Sequence, residues 1–286
     1  MPKRLGLGLL HWINPPEVRP LFYAASVTTP ASVDRFAALC REAQAKAVGP
    51  VALAGTGGIQ PLPAGLAHKE VSVRQTEQFR SVYEPLGASF ASVLLADLIT
   101  PQWWVDSSYV DELVGAIPSP GDDAALFDFC IATGRIEPPM LLGTNGAVIV
   151  SGRRGLGAIS PLRIESATRD KVTFGFDALP RPNWLYLNVI QQTGQVVILN
   201  GVHHFLALMR ARRDRAYCLL RRGLVEQVLD FQDPGFFKPQ HLSSVRPPLL
   251  RDYLDAGVAD DVAVRAVDQF MRFAVQTEIG FVPQSD

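Results

Sequence analysis

The residues best placed to do chemistry lie in one stretch late in the chain. Two adjacent histidines, His203 and His204, follow an apolar run and an Asn200-Gly201 dipeptide. The apolar run, Val196–Leu199, is typical of a buried strand, Asn-Gly is a turn signal, and apolar residues then recur at helical spacing. Because the first N–H groups of a helix lack intrahelical partners and the macrodipole adds positive charge, we expect a phosphate or carboxylate site at this turn.

The two histidines have several possible roles. Each could contact a phosphate or act as a general acid or base, and the alternative is that one caps the helix while the other is half-buried. Adjacent helical side chains point about 100° apart, and no His-x-x-x-His or His-Glu-x-x-His pattern occurs, so we expect no metal site. The catalytic candidates are His203, His204 and Asp97. The candidate ligand-binding residues are Asn200, Gly201, His203, His204, Arg210, Arg153 and Arg154.

The arginines among these candidates come from two places. Arg153 and Arg154 stand between glycines, and Arg210 opens an arginine-rich segment that runs to Arg215. A guanidinium offers a planar fork of donors to an anion. For both groups, a solvated surface with acidic partners is the alternative interpretation.

The composition excludes several classes of protein. Of the 286 residues, 48% are hydrophobic and 19% are charged, which indicates a globular chain with a sizeable core. The formal net charge of −1 gives no global attraction to nucleic acid. Three cysteines without a Cys-x-x-Cys pair argue against a disulfide framework or a zinc site. No apolar segment is long enough to span a membrane or to act as a signal peptide, so we expect a cytoplasmic protein without a membrane partner.

The surrounding patterns predict an α+β protein with a mixed sheet. We expect an N-terminal α/β region of unassigned role over residues 1–88 and a module containing the turn over residues 89–222, with an insertion at about 120–185. A helical C-terminal region is expected over residues 223–286. Helices are predicted over residues 32–48, 107–116, 122–133, 224–231 and 258–277, with Asp106 as the N-terminal cap of the second.

The module resembles the ParB/sulfiredoxin-like superfamily over about residues 90–222. In that superfamily a strand leads into a Gly-x-His-Arg or Gly-Glu-Arg-Arg turn at the start of a helix, and Gly201–His204 stands at this place here. Ser92–Pro101 also looks like the opening strand and leucine-isoleucine-proline element of such domains. The resemblance implies that the turn binds nucleotide phosphates, with ATP or CTP and Mg²⁺ as candidate cofactors. Val202 stands where sulfiredoxins carry their catalytic cysteine, so sulfinic-acid reduction is not implied.

Two functions from different classes follow, and a third possibility is a structural partner whose turn has lost its ligand. The first is binding of a nucleotide or another phosphorylated small molecule at Asn200–His204, and the sequence leaves open whether phosphate hydrolysis or transfer accompanies it. The second is a non-catalytic DNA-associated or regulatory module that contacts phosphates through the arginine-rich helix. No helix-turn-helix signal supports the second function. Whether the protein is an enzyme and how many copies assemble both stay open.

Overall fold

The chain divides into two compact units in the computed structural model. The first unit joins Met1–Thr133 to Asn183–Val267, and the second joins Gly134–Pro182 to Asp268–Asp286. The structure describes residues 3–14, 30–46, 49, 53, 58–131, 140–142, 148–152, 156–159, 163–167, 172–175, 178–180, 186–229, 231, 235–265 and 269–273.

The described elements are helices and strands in mixed order, which places the chain in the α+β class. The α-helices are α1 (Pro30–Ala45), α2 (Ala67–Arg74), α3 (Ser107–Ala116), α4 (Asp123–Cys130), α5 (Val202–Arg210) and α6 (Pro239–Leu242). The strands of the first unit that precede the second unit in the chain are β1 (Lys3–Gly8), β2 (Ile59–Gln60), β3 (Ser89–Leu94), β4 (Leu98–Ile99) and β5 (Trp104–Asp106). Six strands of the second unit come next in the chain: β6 (Met140–Leu142), β7 (Val148–Gly152), β8 (Leu156–Ile159), β9 (Arg163–Ala167), β10 (Val172–Gly175) and β11 (Ala178–Pro180). The remaining strands are β12 (Asn188–Gln192), β13 (Gln195–Asn200), β14 (Arg215–Arg222), β15 (Asp260–Arg265) and β16 (Gln269–Phe273).

A six-stranded mixed sheet forms the centre of the first unit, in the order β2-β3-β14-β12-β13-β4. Strands β12 and β13 form an antiparallel hairpin around Thr193 and Gly194, both of which have positive φ. Strand β14 runs parallel to β12, and β4 runs parallel to β13. The middle strands are apolar runs whose side chains are buried, as expected for strands covered on both faces. The hairpin therefore places β13 between β12 and β4 in this sheet.

Helices α3 and α5 pack side by side and run in the same direction. Asp106, just before α3, is hydrogen-bonded to His203 in the first turn of α5, and Asp111 pairs with Arg210 near the end of α5. Four consecutive residues of α5, Phe205–Leu208, are fully buried. The two helices therefore bring their N-terminal ends to the same place. None of the described helices is long and apolar enough to cross a membrane.

The C-terminal region differs from the helical prediction. The helix predicted over residues 258–277 is wrong, because β15 and β16 occupy most of that range. β15 pairs antiparallel with β1, which also pairs with β5 in a three-stranded sheet. The sequence Val262-Ala-Val264 carries the β-branched residues favoured in strands, and the partner strand is supplied from the other end of the chain. The helix predicted over 224–231 is also wrong, since only a short 3₁₀ turn forms at Val225–Gln227.

The second unit is described through its backbone pairings. Strands β16, β7 and β6 form an antiparallel three-stranded sheet. Two further antiparallel pairs join β9 to β10 and β8 to β11.

Helix α5 ends on a backbone conformation that favours glycine. Arg212 has a φ of +57°, and the N–H groups of Arg212 and Arg213 donate to the carbonyls of Met209 and Leu208, each at 2.9 Å. This pair of bonds defines a Schellman ending, in which the left-handed residue is most often glycine. The arginine side chain there is exposed and makes the turn at a conformational cost.

We expect Arg212→Gly to raise the free energy of unfolding by about 0.5 to 1 kcal/mol. Glycine removes the strain that a Cβ has in the left-handed conformation, and this gain exceeds the loss that comes from the larger conformational entropy of glycine in the unfolded chain. Urea denaturation measures the change. The matched control is Arg41→Gly in the exposed interior of α1, which we expect to lower stability by about 1 kcal/mol. Equal losses in both variants would contradict the left-handed ending.

Candidate functional site

The site begins where β13 turns into α5 through a single residue. Gly201 has a φ of +96° and a ψ of 24°, and α5 starts at Val202. A Cβ at Gly201 would overlap the Cδ2 atom of Leu187. Both the conformation and the space therefore require glycine. The strand, turn and helix predicted from the sequence at this point are confirmed.

Asn200 fixes the turn rather than projecting freely from it. Its Nδ2 donates to the carbonyl oxygen of Tyr186 at 3.0 Å, and Nδ2 of Asn188 donates to the same oxygen at 3.2 Å. Asn188 lies opposite Asn200 in the hairpin, beside a β-bulge, and is buried. Sequence reasoning missed Asn188 because it sits in an otherwise apolar strand, where only the cross-strand pairing identifies it as a partner of the turn.

The two adjacent helix N-termini are capped differently. The Oδ1 of Asp106 accepts hydrogen bonds from the N–H groups of Ser108 and Tyr109 at 3.0 and 3.2 Å, which confirms the predicted cap of α3. The cap residue of α5 is Gly201, which has no side chain to accept from the first N–H groups, and the first turn of α5 contains no acidic residue. Neither Gly201 nor the first turn of α5 therefore supplies a carboxylate to the positive end of the α5 dipole.

His203 joins the two helices as a neutral acceptor. Its Nε2 accepts a hydrogen bond from the backbone N–H of Asp106 at 3.0 Å, which leaves the ring proton on Nδ1. Burial lowers the pKa of His203 from 6.5 to about 4, and the carboxylate of Asp106 opposes part of that shift. At neutral pH, His203 is therefore uncharged and already bonded, so it acts as a structural link and not as a cationic phosphate ligand or general acid.

His204 lies in a cluster of partly buried rings. Its ring centroid is 6.2 Å from that of Tyr109 and 5.6 Å from that of Phe129. Tyr109 also contacts His203, with 5.4 Å between ring centroids. Helices α3, α4 and α5 each contribute to this group, which we call the ring cluster: Tyr109, Phe129, His203 and His204. Both predicted histidines therefore belong to the ring cluster.

Arg210 is not brought to the turn. It ends α5, eight residues beyond Val202, which corresponds to about 12 Å along the helix axis. Its Nη1 pairs with the Oδ1 of Asp111 at 2.6 Å. A cation at this position stabilises the negative end of the α5 dipole, so its role is explained without a ligand.

The neighbouring arginines also have partners within the chain. Arg213 donates to the carbonyl of Pro118. Arg215 donates to Ser92 Oγ at 2.9 Å and to the carbonyl oxygen of Gly58 at 2.7 Å, which ties β14 to β3 and to the start of β2. The side chains of Arg213 and Arg215 thus tie the segment to Pro118, to β3 and to the residue before β2, and Arg212 is its exposed arginine.

The remaining candidates lie away from the turn or outside the described residues. Asp97 precedes Leu98, which pairs with Val196 near the start of β13, whereas the turn follows the end of that strand. The five residue steps from Gln195 to Asn200 separate the two places by about 16 Å. Arg153 and Arg154 lie outside the described residues.

Metal and thiol chemistry receive no support from the part of the chain that the structure describes. Among those residues, no group of three or more histidine, cysteine, aspartate or glutamate side chains could hold a metal ion. The three cysteines are buried, and burial raises the pKa of Cys40 and Cys130 to about 12 and that of Cys218 still further. Their thiols stay protonated and are poor nucleophiles.

Comparison with known proteins adds no assignment, since no family model, curated protein or solved structure matches the chain. The interpretation of the turn therefore depends on its own geometry.

We expect Gly201→Ala to lower the free energy of unfolding by roughly 2 kcal/mol or more, because the added methyl group meets Leu187 at a φ that alanine disfavours. The matched control is Gly115→Ala in α3, where a Cβ meets nothing within 4 Å. This control should gain about 0.5 to 1 kcal/mol from helix propensity. Chemical denaturation of both variants measures the difference, and a neutral Gly201→Ala would contradict the turn geometry.

We expect His203 to make stability depend on pH. Its pKa is about 4 in the folded protein against an ordinary value of 6.5, so the unfolded chain binds more protons between these values. The free energy of unfolding should then fall as the pH drops from about 6.5 to about 4, with a contribution from His203 of about 3 kcal/mol. Denaturation of the wild type and of His203→Gln across this range measures the contribution, and the variant should show the flatter profile.

A second substitution separates titration from hydrogen bonding at the same position. His203→Phe also lacks the titrating ring, but it leaves the N–H of Asp106 without its acceptor. At pH 7 we expect this variant to be about 1 to 3 kcal/mol less stable than His203→Gln. If both variants kept the steep profile of the wild type, another group would carry the pH dependence.

Proposed function

We propose that the protein binds a nucleotide or another phosphorylated small molecule at the Asn200–His204 turn. Backbone N–H groups at the start of α5 would face the phosphate, and His204 would add a side-chain contact. The observation that carries the proposal is that α5 starts at Gly201, which has no side chain to cap the helix, and that its first turn contains no acidic residue. An anion at such a position replaces the missing cap.

The packing of α3 beside α5 supports the same proposal. Both helices point their positive ends to one place, and the Asp106 carboxylate is already committed to the start of α3. A ligand anion at α5 would balance the second dipole. Because His203 is neutral and Asp106 adds negative charge nearby, binding would depend on directed N–H donors more than on net positive charge.

The resemblance of Gly201–His204 to the ParB/sulfiredoxin-like turn suggests ATP and CTP as the first ligands to test. We assign no protein ligands to Mg²⁺, which would enter with the phosphates of the nucleotide. The proposal is one of binding, and it gives no part in phosphate hydrolysis or transfer to His203, which is an acceptor within the fold, or to Asp97, which lies about 16 Å along β13 from the turn.

Thermal unfolding with added ligand tests the proposal. ATP, CTP and inorganic tripolyphosphate, each with and without Mg²⁺, should raise the Tm if they bind the folded state, with a stabilisation of about 2.7 kcal/mol at a ligand concentration one hundred times Kd. Absence of a shift with all three would contradict the proposal. Tripolyphosphate separates recognition of the phosphate chain from recognition of the whole nucleotide.

A charge substitution tests whether the ligand binds at the turn. We expect His204→Asp to raise or preserve the Tm of the ligand-free protein, because a carboxylate in the first turn caps the α5 dipole. The same carboxylate repels a phosphate, so the ligand-induced shift should be lost. His68→Asp is the matched control, since His68 is exposed in the first turn of α2, outside the ring cluster. An unchanged ligand shift in His204→Asp would place the binding elsewhere.

Binding to DNA is the outcome that would favour the alternative function. Arg210, Arg213 and Arg215 form hydrogen bonds with groups of the same chain, which weakens the case that the arginine-rich helix contacts phosphates. Binding by arginines falls steeply with salt because counterions are released. Salt-sensitive DNA binding without any nucleotide shift would therefore replace the proposed function with a DNA-associated one.

A further inference from the structure

We draw no further inference here: the strongest candidate, the ring cluster of Tyr109, Phe129, His203 and His204 at the shared N-terminal end of α3 and α5, belongs to the site already described, and nothing in the structure shows what covers it.

Discussion

The change of backbone direction at Gly201 is the constraint on which the first unit depends. One residue converts a strand held between β12 and β4 into a helix whose Phe205–Leu208 segment is fully buried. The turn has no room for a side chain, because Leu187 occupies the space that a Cβ would take. If the chain needed a second residue to turn, α5 would shift along its axis by about 1.5 Å and rotate by about 100°. That rotation would remove His203 from Asp106 and Arg210 from Asp111, so the turn fixes the register of the helix pair.

Charged groups at the helix ends and the hydrogen bond between His203 and Asp106 allow α3 and α5 to pack side by side in the same direction. Parallel dipoles repel, yet each end of this pair carries a compensating group: Asp106 at the positive end of α3 and Arg210 at the negative end of α5. His203 contributes an acceptor for the backbone N–H of the capping residue, and the low pKa follows from its burial. The imidazole is therefore part of the packing, and its neutrality is a condition of that packing.

Features that depend on neighbouring residues could be predicted from the sequence, whereas features that depend on distant partners could not. The Asn-Gly turn and the Asp106 cap each act within a few residues, and both are confirmed. The role of His203 depends on a residue 97 positions away, and the strand β15 depends on a partner at the opposite end of the chain. The apolar residues of 258–277 fit a helical face as well as a strand, so only the pairing decides between them. In the sequence the arginines after α5 resemble an anion-binding patch, because their acceptors at Ser92, Gly58 and Pro118 come from distant parts of the chain.

These findings define which kind of phosphate site the proposed function would require at the turn. A site built on arginines attracts anions from a distance and weakens with salt. Here the arginines stabilise the other end of α5, His203 is neutral, and Asp106 places a negative charge beside the turn. Under the proposed function the binding groups are the backbone N–H groups at the start of α5, where Gly201, Asn200 and the carbonyl of Tyr186 fix the backbone. Such donors act at hydrogen-bond distance only, so selectivity would come from the fit of a phosphate against the start of α5 and not from charge.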